Sequence, residues 1–404
     1  MTRLLTLLPT DKITIIAPEG SELSAVLASG KRRLTVQAKP VVVPVPPTPL
    51  PGAPLAAGEN WQTKLDANPP GTLFRVLPGV HKRQSIKPRD GQVIDGGGAA
   101  TMDGENTTEI AIGGNAKNVT IRNLTVRNYK TPGQRCAIHL DRDISTASGW
   151  LLENLLVHTN AFGGVALGDN CTMRGGVVHT NGYIGVKASG TTDAKFIGVE
   201  VYANHTRPDD PYVEAGGSKF AHTKNLLVQN CNFHHNKGAG IWTDGENVDA
   251  MIEGNTVADN DGPGIFHEIS YDAVIRRNKV FRNGIIDGGW IWHAGILIAC
   301  SSGVEAYENE LDGNRNGVSL IQQDRGPKYI TRDNFIHDNE IYNTLHSHGV
   351  AEDVGDKAIF LTRNNRFERN HYRKLGGGFA WDGDGKTWAQ WQAAGNDLQG
   401  SYQA

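Results

Sequence analysis

From Thr72 onward, apolar runs of three to five residues alternate with Gly, Asn and Asp, as in LTV, TVA and KVF. Runs this short, bounded by turn residues, predict β-strands rather than helices. Asparagines recur in two columns. The first is Asn123, Asn154, Asn230, Asn255, Asn278, Asn309, Asn334 and Asn365, each just before a short strand. The second is Asn128, Asn160, Asn181, Asn204, Asn236, Asn260, Asn283, Asn314, Asn339 and Asn370, at spacings of 21–25 residues or, where a loop intervenes, 31–32. A period of this size predicts a solenoid whose coils bury their apolar faces only by stacking. Asn tolerates left-handed bends and can bond to the coils on either side.

The pattern does not reach the start of the chain. Residues 1–38 carry two β-like runs and no aromatic residue, and are expected to form a small head that docks on another protein. Residues 39–58 form a linker whose segment KPVVVPVPPTPLPGAP holds seven prolines in sixteen residues and favours a stiff extended spacer. Residues 59–95 cap the first solenoid end with a helix over Glu59–Asn68, and residues 96–374 form the coils. Residues 375–404, with Trp381, Trp388, Trp391 and a helix over Thr387–Ala394, cap the other end, because an open end is an open sheet edge.

The period, the Asn columns and the Gly-led strands together resemble the right-handed parallel β-helix of the pectin-lyase-like superfamily, over roughly residues 72–375. The resemblance implies an all-β, single-stranded right-handed parallel β-helix of about eleven coils with a small N-terminal β head and helical end caps. It implies no single activity, since one fold hosts many. There is no paired-Asp or Gly-His-Gly pattern like that of the polygalacturonases. Nor is there an acid cluster with a partnering Arg, as in pectate lyases.

Composition narrows the classes. All 31 asparagines and 47 of the 49 glycines lie beyond residue 50, which excludes a helical body. A net charge of −3 gives no general affinity for nucleic acid. No apolar run approaches a membrane span, so no membrane insertion is expected. Pro9, Asp11 and Lys12 interrupt the apolar start, which reads as no signal peptide. Four dispersed cysteines, 136, 171, 231 and 300, suit buried thiols of a protein made in a reducing cytosol.

A second set of strands starts after Gly or Ala. Its first position is mostly apolar and points inward, so positions two and four point outward. Position two reads His139, Ala166, Lys187, Lys219, Trp242, Phe266, Leu297, Ser319 and Phe360. Position four reads Asp141, Gly168, Ser189, Ala221, Asp244, Glu268, Ala299, Ile321 and Thr362. This register sets Asp244 beside Glu268, one rung of about 4.8 Å apart, near the carboxylate spacing of a retaining glycosidase. His267 is an oddity at an inward position.

The candidate catalytic residues are therefore Asp244 and Glu268, with Lys219 and Arg325 assisting. Candidate substrate contacts are Trp242, Phe266, Lys187, Gln322, Gln323 and, on two insertions leaving the same corner, Arg207, Tyr212, Trp290, Trp292 and His293. Blander readings stand beside these. The acids could be solvated or hold calcium, the lysines could be solvated, and the Trp242–Phe266–Leu297 stripe could be a subunit interface. His158, His179, Tyr202 and His234 read as a stacking ladder. No cofactor is expected, calcium being the one candidate ion.

The head, spacer and β-helix body, without a secretion signal, look like a bacteriophage tailspike or minor tail protein. That resemblance implies a homotrimer in the virion tail, made in the host cytoplasm. It would contact a host surface polysaccharide and meet other tail proteins through residues 1–38. The rival expectation is a polysaccharide lyase, epimerase or glycoside hydrolase acting on an acidic or cell-wall glycan, and this reading allows secretion.

Overall fold

The computed structural model describes residues 52–208, 216–286 and 289–404. The expected head, residues 1–38, and most of the linker lie outside the described residues. Ala53–Leu55, at the linker's end, pairs in parallel with Leu73–Val76 and so opens the solenoid. The strands gather into two parallel sheets, one of 24 short strands and one of ten. The ten form the face that matters for function: β1 (Cys136–His139), β2 (Gly163–Leu167), β3 (Ile184–Ser189), β4 (Gly216–Ala221), β5 (Ile241–Asp244), β6 (Ile265–Glu268), β7 (Ala294–Ala299), β8 (Asn316–Gln322), β9 (His348–Glu352) and β10 (Phe379–Ala380). They stack in chain order. A continuous core lies between the sheets and includes Phe196, Phe220, Phe233 and Ile298.

The asparagine periodicity has a clear physical basis. Asn160, Asn181, Asn204, Asn236, Asn260, Asn283 and Asn314 form one buried ladder, each donating Nδ2 to the next Oδ1 at 2.9–3.0 Å. Each acceptor oxygen also takes the backbone N–H of the residue before it in the ladder, for example Asn236 N to Asn260 Oδ1 at 3.1 Å. The ladder explains the Gly-led strands as well. A Cβ on Gly240 would lie 2.9 Å from Asn260 Nδ2 and 2.8 Å from Gly264 O, so only glycine fits over the amide.

The column assignment slips in two places. Asn123, Asn154 and Asn230 take a left-handed bend one residue earlier than the buried position, with φ of 54°, 51° and 54°. It is Cys231, not Asn230, whose N–H meets Asn255 Oδ1. Beyond Asn309 the ladder runs to Asn339 and Asn370, while Asn334 and Asn365 form a third column under Val304. The loop after β8 lengthens that coil, so Asn334 falls at nearly one period and mimics the next rung. Asn128 bonds Asp103 on the surface instead, and Tyr129 N heads the ladder on Asn160.

Both caps are helical. α1 (Trp61–Ala67) starts at Asn60, whose side chain accepts from Thr63 N, and buries Trp61 and Leu65 over the first coil. α2 (Ala358–Leu361) stands where a strand with Phe360 and Thr362 in the outward columns was expected. β9 supplies that rung instead, with Ser319 paired to Gly349 and Ile321 to Ala351. α3 (Trp388–Ala393) carries a Thr387–Gln390 capping box and buries Trp391. His158, His179, Tyr202 and His234 stack at 4.8–5.0 Å, as the ladder reading requires. All four cysteines are free and buried.

Candidate functional site

The register of β5 on β6 pairs Trp242 with Phe266 and Asp244 with Glu268. The expected adjacency of the two acids therefore holds. Their environments differ. Asp244 Oδ2 lies 2.9 Å from Lys219 Nζ, which reaches from β4 and sits 4.1 Å from the Trp242 ring centroid. Glu268 is buried, with Oε2 accepting from Trp242 Nε1 at 3.2 Å and Oε1 3.2 Å from Arg325 Nη1. Burial, and then the charge of Asp244, raise the Glu268 carboxyl to about 7 against the pull of Arg325 and Lys219.

The outward stripe is not open. Trp242 and Phe266 are 7% and 8% exposed and Leu297 is 0% exposed. The second insertion folds back over them. Ile291 is buried against this cluster, and Trp292 packs edge-on to Phe266 at 6.3 Å. Trp242 and Phe266, themselves stacked at 5.3 Å, therefore wall the Glu268 pocket and do not offer free faces to a sugar. Trp290 remains exposed on the loop, and His293 Nδ1 lies 3.1 Å from Ile286 O within it. Arg207 is exposed at the foot of the first insertion, its N–H on Gly182 O at 3.1 Å. Tyr212 lies outside the described residues.

Gln322 does not face a substrate either. Its Oε1 accepts from Thr331 N and Arg363 Nη1, and its Nε2 donates to the Gln323 and Tyr329 carbonyls. It braces the loop that carries Arg325. The Gln323 N–H meets Cys300 Sγ and its carbonyl takes Arg325 N, so Gln323 anchors the same loop. Glu246 holds the far side of that loop through Lys328 Nζ at 2.6 Å and Tyr329 Oη at 2.7 Å. The inward His267 is fully buried with Nδ1 2.7 Å from Thr243 Oγ1, and burial pushes it down to about 3.

An open cleft of about 120 Å³ ends one strand before Asp244, lined by Gln134, Asp143, Phe162, Lys187, Ser189 and Lys219 among others; neither Asp244 nor Glu268 lines it, and Lys219 joins it to Asp244. Lys187 and Lys219 are partners in adjacent strands. Phe162 stacks on Tyr183 at 4.5 Å and gives the cleft an aromatic wall. At its far end His139 and Asp141, both fully buried, stand behind Lys187. The Cys136 N–H donates to His139 Nδ1 at 3.0 Å, and His139 Nε2 lies 2.8 Å from Asp141 Oδ1. Sequence columns set His139 and Asp141 at the strand positions of Trp242 and Asp244. Asp143 and Gln134 sit on turns, which no alternation rule covers.

His139, Asp141 and Asp143 each offer a ligand atom, all within 4.8 Å of one another. The set does not suit calcium. With Nδ1 accepting from Cys136, a neutral ring keeps its proton on Nε2, and the Lys187 ammonium already stands 3.1 Å from Asp141 and 3.0 Å from Asp143. Asp244 and Glu268 likewise face Lys219 and Arg325 where a cation would sit.

A family model described as right handed beta helix region matches residues 108–309. No curated protein matches the chain. Among solved structures, the A-module of the Azotobacter vinelandii mannuronan C-5 epimerase AlgE6 is similar at TM-score 0.56 and 15% identity, over 85% of this chain and 94% of that one. XylC in complex with xylose gives TM-score 0.58 at 10% identity, over 79% and 81%. A mannuronic acid specific polysaccharide family 6 lyase from human gut microbiota gives 0.56 at 13%, over 79% and 80%. At these identities the likeness shows the fold.

Proposed function

The chain belongs to the right-handed β-helix family, and on that premise we propose that its ten-stranded face processes a polysaccharide by acid–base chemistry. The observation that carries this is the pairing of two carboxyls in different settings on adjacent rungs, with Lys219 joining Asp244 to the neighbouring cleft. Glu268 keeps its proton to about neutral pH and serves as the acid, while the Asp244 carboxylate, paired with Lys219, serves as the base or stabilises positive charge. Lys187, Lys219 and Arg325 gather cations around the cleft and pair, which favours an acidic glycan. The Phe162 wall gives a sugar ring an apolar surface. The similar AlgE6 module is a mannuronan epimerase and the similar lyase is mannuronic acid specific, which agrees with this choice of substrate class.

The test is product analysis on a panel of uronic-acid and neutral glycans. E268Q should lower turnover by about 10²–10⁴-fold, the usual worth of a positioned acid or base. D244N should lower turnover and, by removing the charge that helps hold the Glu268 proton, move the alkaline limb of the pH–rate profile down from near 7. Unchanged turnover in both variants rejects the site.

A second reading is favoured by the sequence before the coils: residues 1–38, expected to form a head, and a proline-rich segment after them. In it the protein is a bacteriophage tail component, homotrimeric in the virion. It holds a host surface polysaccharide on the same face and meets other tail proteins through the head. Sedimentation of the full chain as a monomer, with no glycan retained, would count against it.

A further inference from the structure

Lys187 is the most enclosed cation of the cleft. Three acceptors surround its Nζ: the Gln134 carbonyl at 3.1 Å, Asp143 Oδ2 at 3.0 Å and Asp141 Oδ2 at 3.1 Å. Two of these are hydrogen bonds, to Gln134 and Asp143, while Asp141 Oδ2 meets the ammonium as an ion pair without one. The partners are not equivalent. Asp141 is fully buried at the end of β1 and is itself backed by His139, whose ring is fixed by the Cys136 N–H. The Gln134 contact is backbone. Asp143, in contrast, is 45% exposed on the turn beyond β1, while Lys187 is 12% exposed, and both line the cleft.

These differences separate permanent from exchangeable partners. Burial works against charge on Asp141, but His139 and Lys187 outweigh it and hold the carboxyl below its usual range. Burial also opposes charge on Lys187, yet Cys136, Asp141 and Asp143 around it raise it above its ordinary value. Breaking the Lys187–Asp141 contact would leave an unpaired charge in the interior. Releasing Asp143 moves one carboxylate into water.

We infer that Asp143 is an internal stand-in for ligand, occupying on Lys187 the seat that an oxyanion group of the bound glycan takes. The ligand class is a carboxylate- or sulfate-bearing sugar. On binding, its oxyanion replaces Asp143 Oδ2 on Lys187 Nζ, while Asp141 and the Gln134 carbonyl stay in place. Asp143 then lowers affinity and acts as a selectivity filter, since a neutral sugar cannot repay the contact it would displace. The inference deepens the glycan reading of the cleft and rests on it.

Isothermal titration of the full chain tests it, with sodium glucuronate and sodium sulfate as separate probes and calcium chloride as a third. An exposed pair is worth little, so D143N should bind glucuronate or sulfate about two- to fivefold more tightly than wild type. The stronger probe identifies the oxyanion. Lys187→Met should abolish the signal, and matching melting curves for D143N confirm its fold. Equal or weaker binding by D143N overturns the inference. So does an absence of binding by every form, or calcium binding by wild type that D143N loses. Binding is read without turnover, so its failure leaves the Glu268 tests standing, and failure of those leaves this one.

Discussion

Glu268 and Asp244 are one rung apart on one column, yet they part in chemistry because of what surrounds each. Trp242, Phe266 and the covering loop strip water from Glu268, whereas Asp244 meets Lys219 at a partly open position. The same logic governs two histidines. His267 and His348 are fully buried and each is pushed down to about 3 by burial. His348 accepts the Val318 N–H at Nδ1 and lies 3.1 Å from Tyr372 Oη at Nε2, so its neutral form is the one the fold uses. A histidine depressed on folding adds stability that is present above its free value near 6.5 and is lost as pH falls toward 3. Glu268 acts in the opposite sense, since a carboxyl raised to about 7 makes folding less favourable as pH rises from 4.5. The two histidines, with carboxyls held below their usual range such as Asp141 and Asp338, outweigh the raised Glu268, Asp261 and Asp397 and leave a net loss on acidification. The unfolding free energy from urea melts should fall between pH 6.5 and 4, by up to about 1.4 kcal/mol per pH unit for each histidine. Replacing His267 by Gln should flatten that slope, and an unchanged slope would refute the assignment.

At the scale of the element, the unit is a glycine, an asparagine and the short strand between them. The buried amide satisfies two backbone groups and its neighbour's amide, and the glycine makes room for it. Asn260 shows the cost of breaking this: its Nδ2 donates to Phe233 O and Asn283 Oδ1, and its Oδ1 takes Asn236 N and Nδ2. Asn260→Ala should destabilise by about 2–4 kcal/mol, because it takes the acceptor from two buried Asn236 donors and the donor from the buried Phe233 carbonyl. Asn154→Gly, at an exposed left-handed bend, should stay within about 0.5 kcal/mol, because glycine accepts that φ without strain. Thermal or denaturant melting of the two variants separates the roles. The sequence shows both kinds of asparagine alike. A spacing rule cannot tell a buried rung from a bend one residue away, which misplaces Asn230, nor see a loop that lengthens a coil, which misplaces the buried Asn334.

Across the whole molecule, the repeat must end without leaving an open edge. The last rung is handled by Asp397, whose Oδ1 takes Asn370 N and Nδ2, while its Oδ2 accepts from Tyr372 Oη and Trp391 Nε1. The acid thus replaces the next asparagine and pins α3 over the core. Trp391→Ala removes a fully buried ring and one of these donors, and should cost about 3–5 kcal/mol. Light scattering should then show association through the uncovered end. A variant that melts like wild type and stays dispersed would show that α3 is not the cap.

The chain itself determined what repeats. Period, alternation and glycine placement are local, so two outward columns could be read off and Asp244 set beside Glu268 before any coordinates. The helices at both ends, expected over Glu59–Asn68 and Thr387–Ala394, were legible for the same reason. What fills the space above those columns is not local. Whether Trp242 and Phe266 are open depended on the path of a loop some fifty residues further on. The ring of acceptors around Lys187 joined Gln134, Asp141 and Asp143 across intervening coils. Solvent exclusion and ion pairing depend on distances through space. Only the tertiary structure could therefore place Glu268 out of water beside Asp244 and set Asp143 against Lys187.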